Sequence, residues 1–225
     1  MAKAAARKSS ARQRRNKSGG ALTEKGVQTR ASLIDAARKV FERDGYVDTR
    51  VADIVEAAGV AHGTFYIYFS SKKAIFKAVI QDHQSEVEAI ARKSSSPEVT
   101  TALKAIEASN RAYLEGYARH RRLMAIWAQV AMLEPEIGEL LDDRTDFNIQ
   151  RTERAIHSLK AEGYVARDLD VPYAARALSS MVKEFCVRSF HGDAECDIER
   201  AVAALTSLWA RGIGLDPNAP RRPGR

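Results

Sequence analysis

The side chains able to do chemistry are spread thinly along the 225 residues. The five histidines, His62, His83, His120, His157 and His191, are scattered. None stands at the spacing of a His-Glu-x-x-His metal helix, and no Gly-rich phosphate loop or nucleophile elbow is present. The densest set of metal-capable groups is His191, Asp193, Glu195, Cys196 and Asp197. It reads either as a metal site or as a polar turn whose acids suit the start of the next helix, and the second reading is the plainer one. No metal, cofactor or catalytic residue is therefore assigned, and the chain is not read as an enzyme. Cys186 and Cys196 are read as free, buried thiols of a cytoplasmic protein.

Charge is more informative. Lys3, Arg7, Lys8, Arg12, Arg14, Arg15 and Lys17 lie among residues 1–20 without a single acid, and they equal the whole formal excess of +7. From Ala21 onward the charges cancel, so a basic arm precedes a neutral body. Such an arm suits a polyanion. It has no apolar stripe to enter a bilayer interface, which favours nucleic acid over a membrane surface. The plain alternative is a solvated terminus that only aids solubility. No run approaches the roughly 18 apolar residues of a membrane span, and no secretory signal follows the basic start.

The elements that position these groups read as helices throughout. Leu33, Ile34, Ala37, Val40 and Phe41 recur at helical spacing until Asp44-Gly45 stops the first helix. Thr49 stands at an N-cap position before Val51, Ile54, Val55 and Ala58, and Gly59 ends that short second helix. A third runs from Ala61 to Phe69, with Phe65 and Phe69 spaced to dock inward. Ser70 or Ser71 caps a fourth, patterned by Ile75, Phe76, Val79, Ile80, Val87 and Ile90 up to Ser94-Ser95-Ser96-Pro97. Further blocks span 97–119, 120–133, 135–163, 171–191 and 194–212, with Pro97, Pro135 and Pro172 near block starts. The expectation is an all-α fold of about nine helices. A basic tail (1–20), a head (27–87, with a helix-turn-helix at about 50–69), a larger helical body (97–214) and a Pro/Arg-rich tail (216–225) divide the chain.

Two short helices joined by a tight Gly-containing turn, with a third to pack on, describe a helix-turn-helix whose second member enters the major groove. The string Thr49-Arg50-Val51-Ala52-Asp53-Ile54-Val55-Glu56-Ala57-Ala58-Gly59-Val60-Ala61-His62-Gly63-Thr64-Phe65-Tyr66-Ile67-Tyr68-Phe69-Ser70-Ser71-Lys72, with Phe41-Glu42-Arg43-Asp44-Gly45-Tyr46 before it, closely resembles the N-terminal domain of TetR-type regulators. The resemblance implies double-stranded DNA as partner. It implies that Thr49 caps the second helix and meets a phosphate, with Arg50 as a cationic contact beside it. His62, Gly63 and Thr64 would face base edges, Gly63 allowing close approach. Tyr66 and Tyr68 would reach phosphates, and Lys72 would add a point charge. Val60, Phe65, Phe69, Ile54 and Ala58 are assigned to the core. Ala61 departs from the Ser or Thr that many members carry there, so the third helix lacks that cap.

The body resembles the family only in length and helical layout. Tyr113, Tyr117, Met124, Trp127, Met132, Phe147, Met181 and Phe185 are spread over several helices. All but Met132 are nominated as walls of a pocket for a mostly apolar small-molecule effector; residue by residue, packing explains them equally well. The last two helices carry Ala174, Leu178, Met181, Val182 and Phe185, then Ile198, Val202, Leu205, Leu208 and Trp209, and the resemblance implies that they form a homodimer interface. The functional expectation is a sequence-specific regulator, a repressor that binds a palindromic operator as a dimer and is released by its ligand. The alternatives are a non-specific architectural DNA coater or an activator.

Overall fold

A computed structural model describes residues 23–94, 101–190 and 196–215, with the side chains of 87–94 left aside. The basic tail 1–20, the tail 216–225, Pro97, the Val87 and Ile90 side chains, and His191, Asp193 and Glu195 of the polar turn lie outside the described residues. Among the described residues the chain is all α: α1 (Glu24–Asp48), α2 (Val51–Ala57), α3 (His62–Tyr68), α4 (Lys72–Ser94), α5 (Ala102–Arg119), α6 (Arg121–Leu133), α7 (Pro135–Ala161), α8 (Val171–Ser189) and α9 (Ile198–Gly212). The expected nine-helix layout is met, and no described helix is long and apolar enough to cross a membrane.

Local chemistry sets the boundaries. Thr23, Thr101, Asp170 and Asp197 each accept a backbone N–H at a helix start, and Pro135 opens α7 where its missing N–H costs nothing. Ser71 caps α4 by accepting from the Ala74 N–H. Gly59, at φ 64°, closes α2 in a left-handed turn: its N–H reaches the Glu56 carbonyl and the Val60 N–H reaches that of Val55. Gly45, at φ 79°, breaks α1 where the sequence predicts its end, although one more turn follows to Asp48. Thr49 differs from its expected role. Arg50 is the N-cap of α2, and the Thr49 hydroxyl donates back to the Gly45 carbonyl at 2.6 Å.

Two apolar cores result. The first joins Leu33, Ala37, Val40 and Phe41 of α1 to Ile54, Phe65, Phe69, Ile75, Phe76 and Val79, and continues without a break into Leu123, Trp127, Val130 and Ile137 of α6 and α7. The second gathers Ile106 and Leu114 of α5, Ile156 of α7, Ala175, Leu178 and Val182 of α8, and Val202, Leu205 and Trp209 of α9. Within it Asn110 and Thr206 satisfy one another at 3.1 Å, as buried polar side chains must. Cys186 is buried as expected, whereas Cys196 is only half-buried.

Candidate functional site

α3 has one buried side and one bare side. Phe65 is fully buried, and Phe69, just past the helix, packs beneath with the Arg30 guanidinium 5.3 Å from its ring centroid. The opposite side presents His62, Gly63, Tyr66 (55% exposed) and Ile67 (74% exposed), with Thr64 and Tyr68 half-buried at its edges. The His62 and Tyr66 rings, one turn apart on the exposed side, lie 5.4 Å from one another and tilted. No side chain caps α3, since Ala61 stands at the N-cap. In its first turn the Thr64 N–H donates to the Ala61 carbonyl at 2.8 Å, and the N–H groups of His62 and Gly63 are left without a side-chain cap. A Cβ on Gly63 would meet nothing within 4 Å, so packing within the fold does not demand glycine there.

The flanking groups are organised differently from one another. Arg50 is exposed and chelates Asp53: its backbone N–H donates to that carboxylate at 2.8 Å and its guanidinium at 2.9 Å, which lowers the Asp53 pKa and raises that of Arg50. The pair caps α2 and keeps the exposed Arg50 guanidinium ion-paired at the start of that helix. Thr49 is 2% exposed. Lys72 is turned inward: its ammonium donates to the carbonyls of Tyr46, Val47 and Thr49 at 2.6, 3.0 and 2.8 Å and lies 4.6 Å from the Tyr46 ring centroid. All three of its donors are used, and burial pulls its pKa down. The structure thus presents His62, Gly63, Thr64 and Tyr66 along α3 with Tyr68 at its edge, leaves Arg50 exposed at the start of α2, and makes Lys72 and the Thr49 hydroxyl braces of the corner between α1 and α2. Ile67 was not singled out from sequence. Its signal was there, because it falls off the face defined by Phe65 and Phe69.

In the body, a cavity of about 150 Å³ lies among α5, α6, α7, α8 and α9. A second hollow of about 310 Å³ shares Ser109, Asn110, Arg151, Thr152 and Trp209 with it. Tyr113, Tyr117 and Met124, nominated from sequence, line the cavity. Trp127, Phe147, Met181 and Phe185 do not. Trp127 is sealed into the first core with its Nε1–H on the Ile137 carbonyl at 3.3 Å. Phe147 is 48% exposed, and Met181 and Phe185 pack against the second core. Polar walls went unnominated: Arg144, Arg151 and Lys183, with Asn110, Asn148 and Thr145. On helices that were read only for their apolar face, such residues look like a solvated surface. The Lys183 ammonium donates to Thr145 Oγ1 at 3.1 Å. Burial pushes the Tyr113 phenol up to about 12 and the Cys186 thiol up to about 12, so both are neutral at physiological pH.

Three more side chains meet where none was proposed: His83 and Glu86 of α4 approach His120, between α5 and α6.

Comparison with known proteins agrees with this geometry. Residues 33–79 match the family model described as bacterial regulatory proteins, tetR family. An uncharacterized HTH-type transcriptional regulator of Bacillus subtilis, YdgC, is 42% identical over 66 residues, covering 29% of this chain and 34% of the relative. The chain thus spans about a third of that relative's length. The HTH-type transcriptional repressor BepR of Brucella suis is 26% identical over 202 residues, covering 87% of this chain and 96% of the relative. Among solved structures, the transcriptional regulator FadR of Bacillus subtilis in complex with stearoyl-CoA superimposes with a TM-score of 0.65 at 23% identity, covering 81% of this chain and 98% of that one.

Proposed function

We propose that the chain is a transcriptional regulator of the TetR family that binds a palindromic operator as a homodimer, represses transcription there, and is released by a small molecule held in the body. The observation that carries the DNA reading is α3, a helix fully anchored through Phe65 whose other side is exposed and free of acids. His62, Gly63 and Thr64 read base edges from its N-terminal end, and Ile67 offers an apolar contact of the kind that suits a thymine methyl. Arg50, Tyr66 and Tyr68 meet phosphates. No atom of the fold crowds the Cα of Gly63, which leaves room there for the close approach of a DNA backbone or base edge.

A dimer supplies the two-fold symmetry that spaces two recognition helices by one turn of DNA, about 34 to 36 Å. The outward sides of α8 and α9, with Tyr173 and Ala177 on one and Ala204 and Leu208 on the other, support these two helices as the interface. For the effector, Met124, Leu141, Ile149 and Val182 accept an apolar body, whereas Arg144, Arg151 and Lys183 favour an acidic or acceptor-rich end. The effector is then amphipathic and not simply apolar. The stearoyl-CoA complex of the Bacillus subtilis regulator has a ligand of that kind.

Fluorescence anisotropy tests the DNA reading, using DNA from upstream of the chain's own gene and a scrambled control over a range of salt. A strong preference for the upstream fragment, saturating at an even number of protomers and lost in Gly63→Leu while the fold persists, is the expected result. Equal and steeply salt-dependent binding to both fragments, persisting for every genomic fragment tried, leaves a non-specific coater instead. Ligand and operator must also weaken one another by the same factor, since linkage is reciprocal.

A further inference from the structure

We propose that His83, Glu86 and His120 form a binding site for a late first-row divalent cation such as Zn²⁺, tying α4 to the elbow between α5 and α6. One ligand atom from each residue falls within a set no more than 4.8 Å across. His83 is 2% exposed, yet its Nδ1 has no hydrogen-bond partner among the described residues. A buried imidazole left without a partner is costly, and two imidazoles with ring centroids 4.5 Å apart do not satisfy each other merely by edge contact. A cation shared with Glu86 satisfies them.

The donor set selects the ion. Two imidazole nitrogens and a carboxylate suit Zn²⁺, Ni²⁺ or Cu²⁺ and are poor for Mg²⁺ or Ca²⁺, which take oxygen. Burial above all, then His120, Arg144 and Arg38, hold the His83 pKa down at about 3, so its ring is neutral and able to ligate. A tetrahedral sphere with bonds of about 2.1 Å has edges of roughly 3.4 Å, so a set within 4.8 Å must contract by at most about 1.4 Å. Glu86 is exposed and free to make that move. It is now held by Arg38 at 3.1 Å, but Arg38 also bonds Asp82 at 2.9 Å and keeps that partner when Glu86 turns to the ion. The positive charges of Arg38 and Arg144 oppose a dication, which further excludes weakly held ions.

α4 begins in the head core, and His120 opens α6, so the ion would bridge the strut below α3 to the body. The test is zinc titration of the tag-free full-length protein against a competing chromophoric chelator, with Co²⁺ absorption as a readout of ligand type. Expected are one ion per protomer, a Co²⁺ spectrum without thiolate charge-transfer bands, and at least tenfold weaker binding in both Glu86→Gln and His120→Asn. Both variants leave buried His83 in place and should keep wild-type circular dichroism. Failure of the wild type to bind, wild-type affinity in either variant, or a thiolate band pointing to Cys196 would each overturn the site. None of these readouts depends on the operator or on the effector.

Discussion

Replacing Lys72 by Met separates two roles that its position allows. As a phosphate contact, Lys72 would contribute to DNA affinity and little to stability. The structure instead seats its ammonium on the carbonyls of Tyr46, Val47 and Thr49, against the Tyr46 ring, so that the first residue of α4 clamps the corner between α1 and α2. Three charge-assisted bonds in dry surroundings would be worth several kcal/mol together. Val47 and Arg50 beside them are exposed, so water re-solvates much of what the ammonium leaves. A net loss of about 2 to 4 kcal/mol is the reasoned figure, the cation–π contact included. For a chain of this size that lowers Tm by roughly 4 to 16 °C. Thermal melts by circular dichroism at fixed protein concentration measure it, and anisotropy against salt, at a temperature where both proteins are folded, measures the other role. Expected are the lowered Tm and an unchanged salt slope. A Tm within a degree of wild type, with the slope reduced by about one, would refute the clamp and put the ammonium on a phosphate.

Trp127→Ala should remove about 3 to 5 kcal/mol, because a fully buried indole and its bond to the Ile137 carbonyl are lost from a core that head and body share. Tryptophan and helix signals should still melt in one transition, and two separated transitions would break the single-core description. The Cys186 thiol, raised from an ordinary 9.0 to about 12, holds its proton more tightly when folded than when unfolded. Its contribution to stability is therefore complete below pH 9 and is lost as pH rises toward 12. Tm should fall across that window, and less steeply in Cys186→Ala; an identical slope in the variant contradicts the assignment. Deleting residues 1–20 removes seven cations and should flatten the salt dependence of DNA binding without changing sequence preference. A changed preference would instead mean that the arm reads DNA itself.

What the sequence made legible was local. Helix starts at Pro135 and Ser71, the stop at Gly59 and the inward pair Phe65 and Phe69 each follow from chemistry within a few residues. The outward set on α3 then follows by exclusion. What stayed hidden depends on separation. The Lys72 ammonium bonds carbonyls more than twenty residues back, and nothing near position 72 says so. His83 and Glu86 are three apart on one helix, a visible pair, but their third member lies at the end of another helix. Trp127 and Met124, three apart on α6, look alike as large apolar residues, and only the packing distinguishes a sealed indole from a cavity wall.

That same helix joins the body cavity to the core of the head. Leu123, Trp127 and Val130 of α6 are buried in the core that anchors α1 and α3, while Met124 lines the body cavity and also packs on that core. Leu141 of α7 has the same double membership. The expected head (27–87) and body (97–214) follow the order of the chain, while the head's apolar core extends through α6 into the start of α7. Close-packed interiors transmit displacement and do not absorb it. An occupant that moves Met124 or Leu141 acts on side chains already in contact with the head core. The contiguous packing from the cavity to α3 therefore runs through α6, with α4 following the head to which its first two turns are bonded.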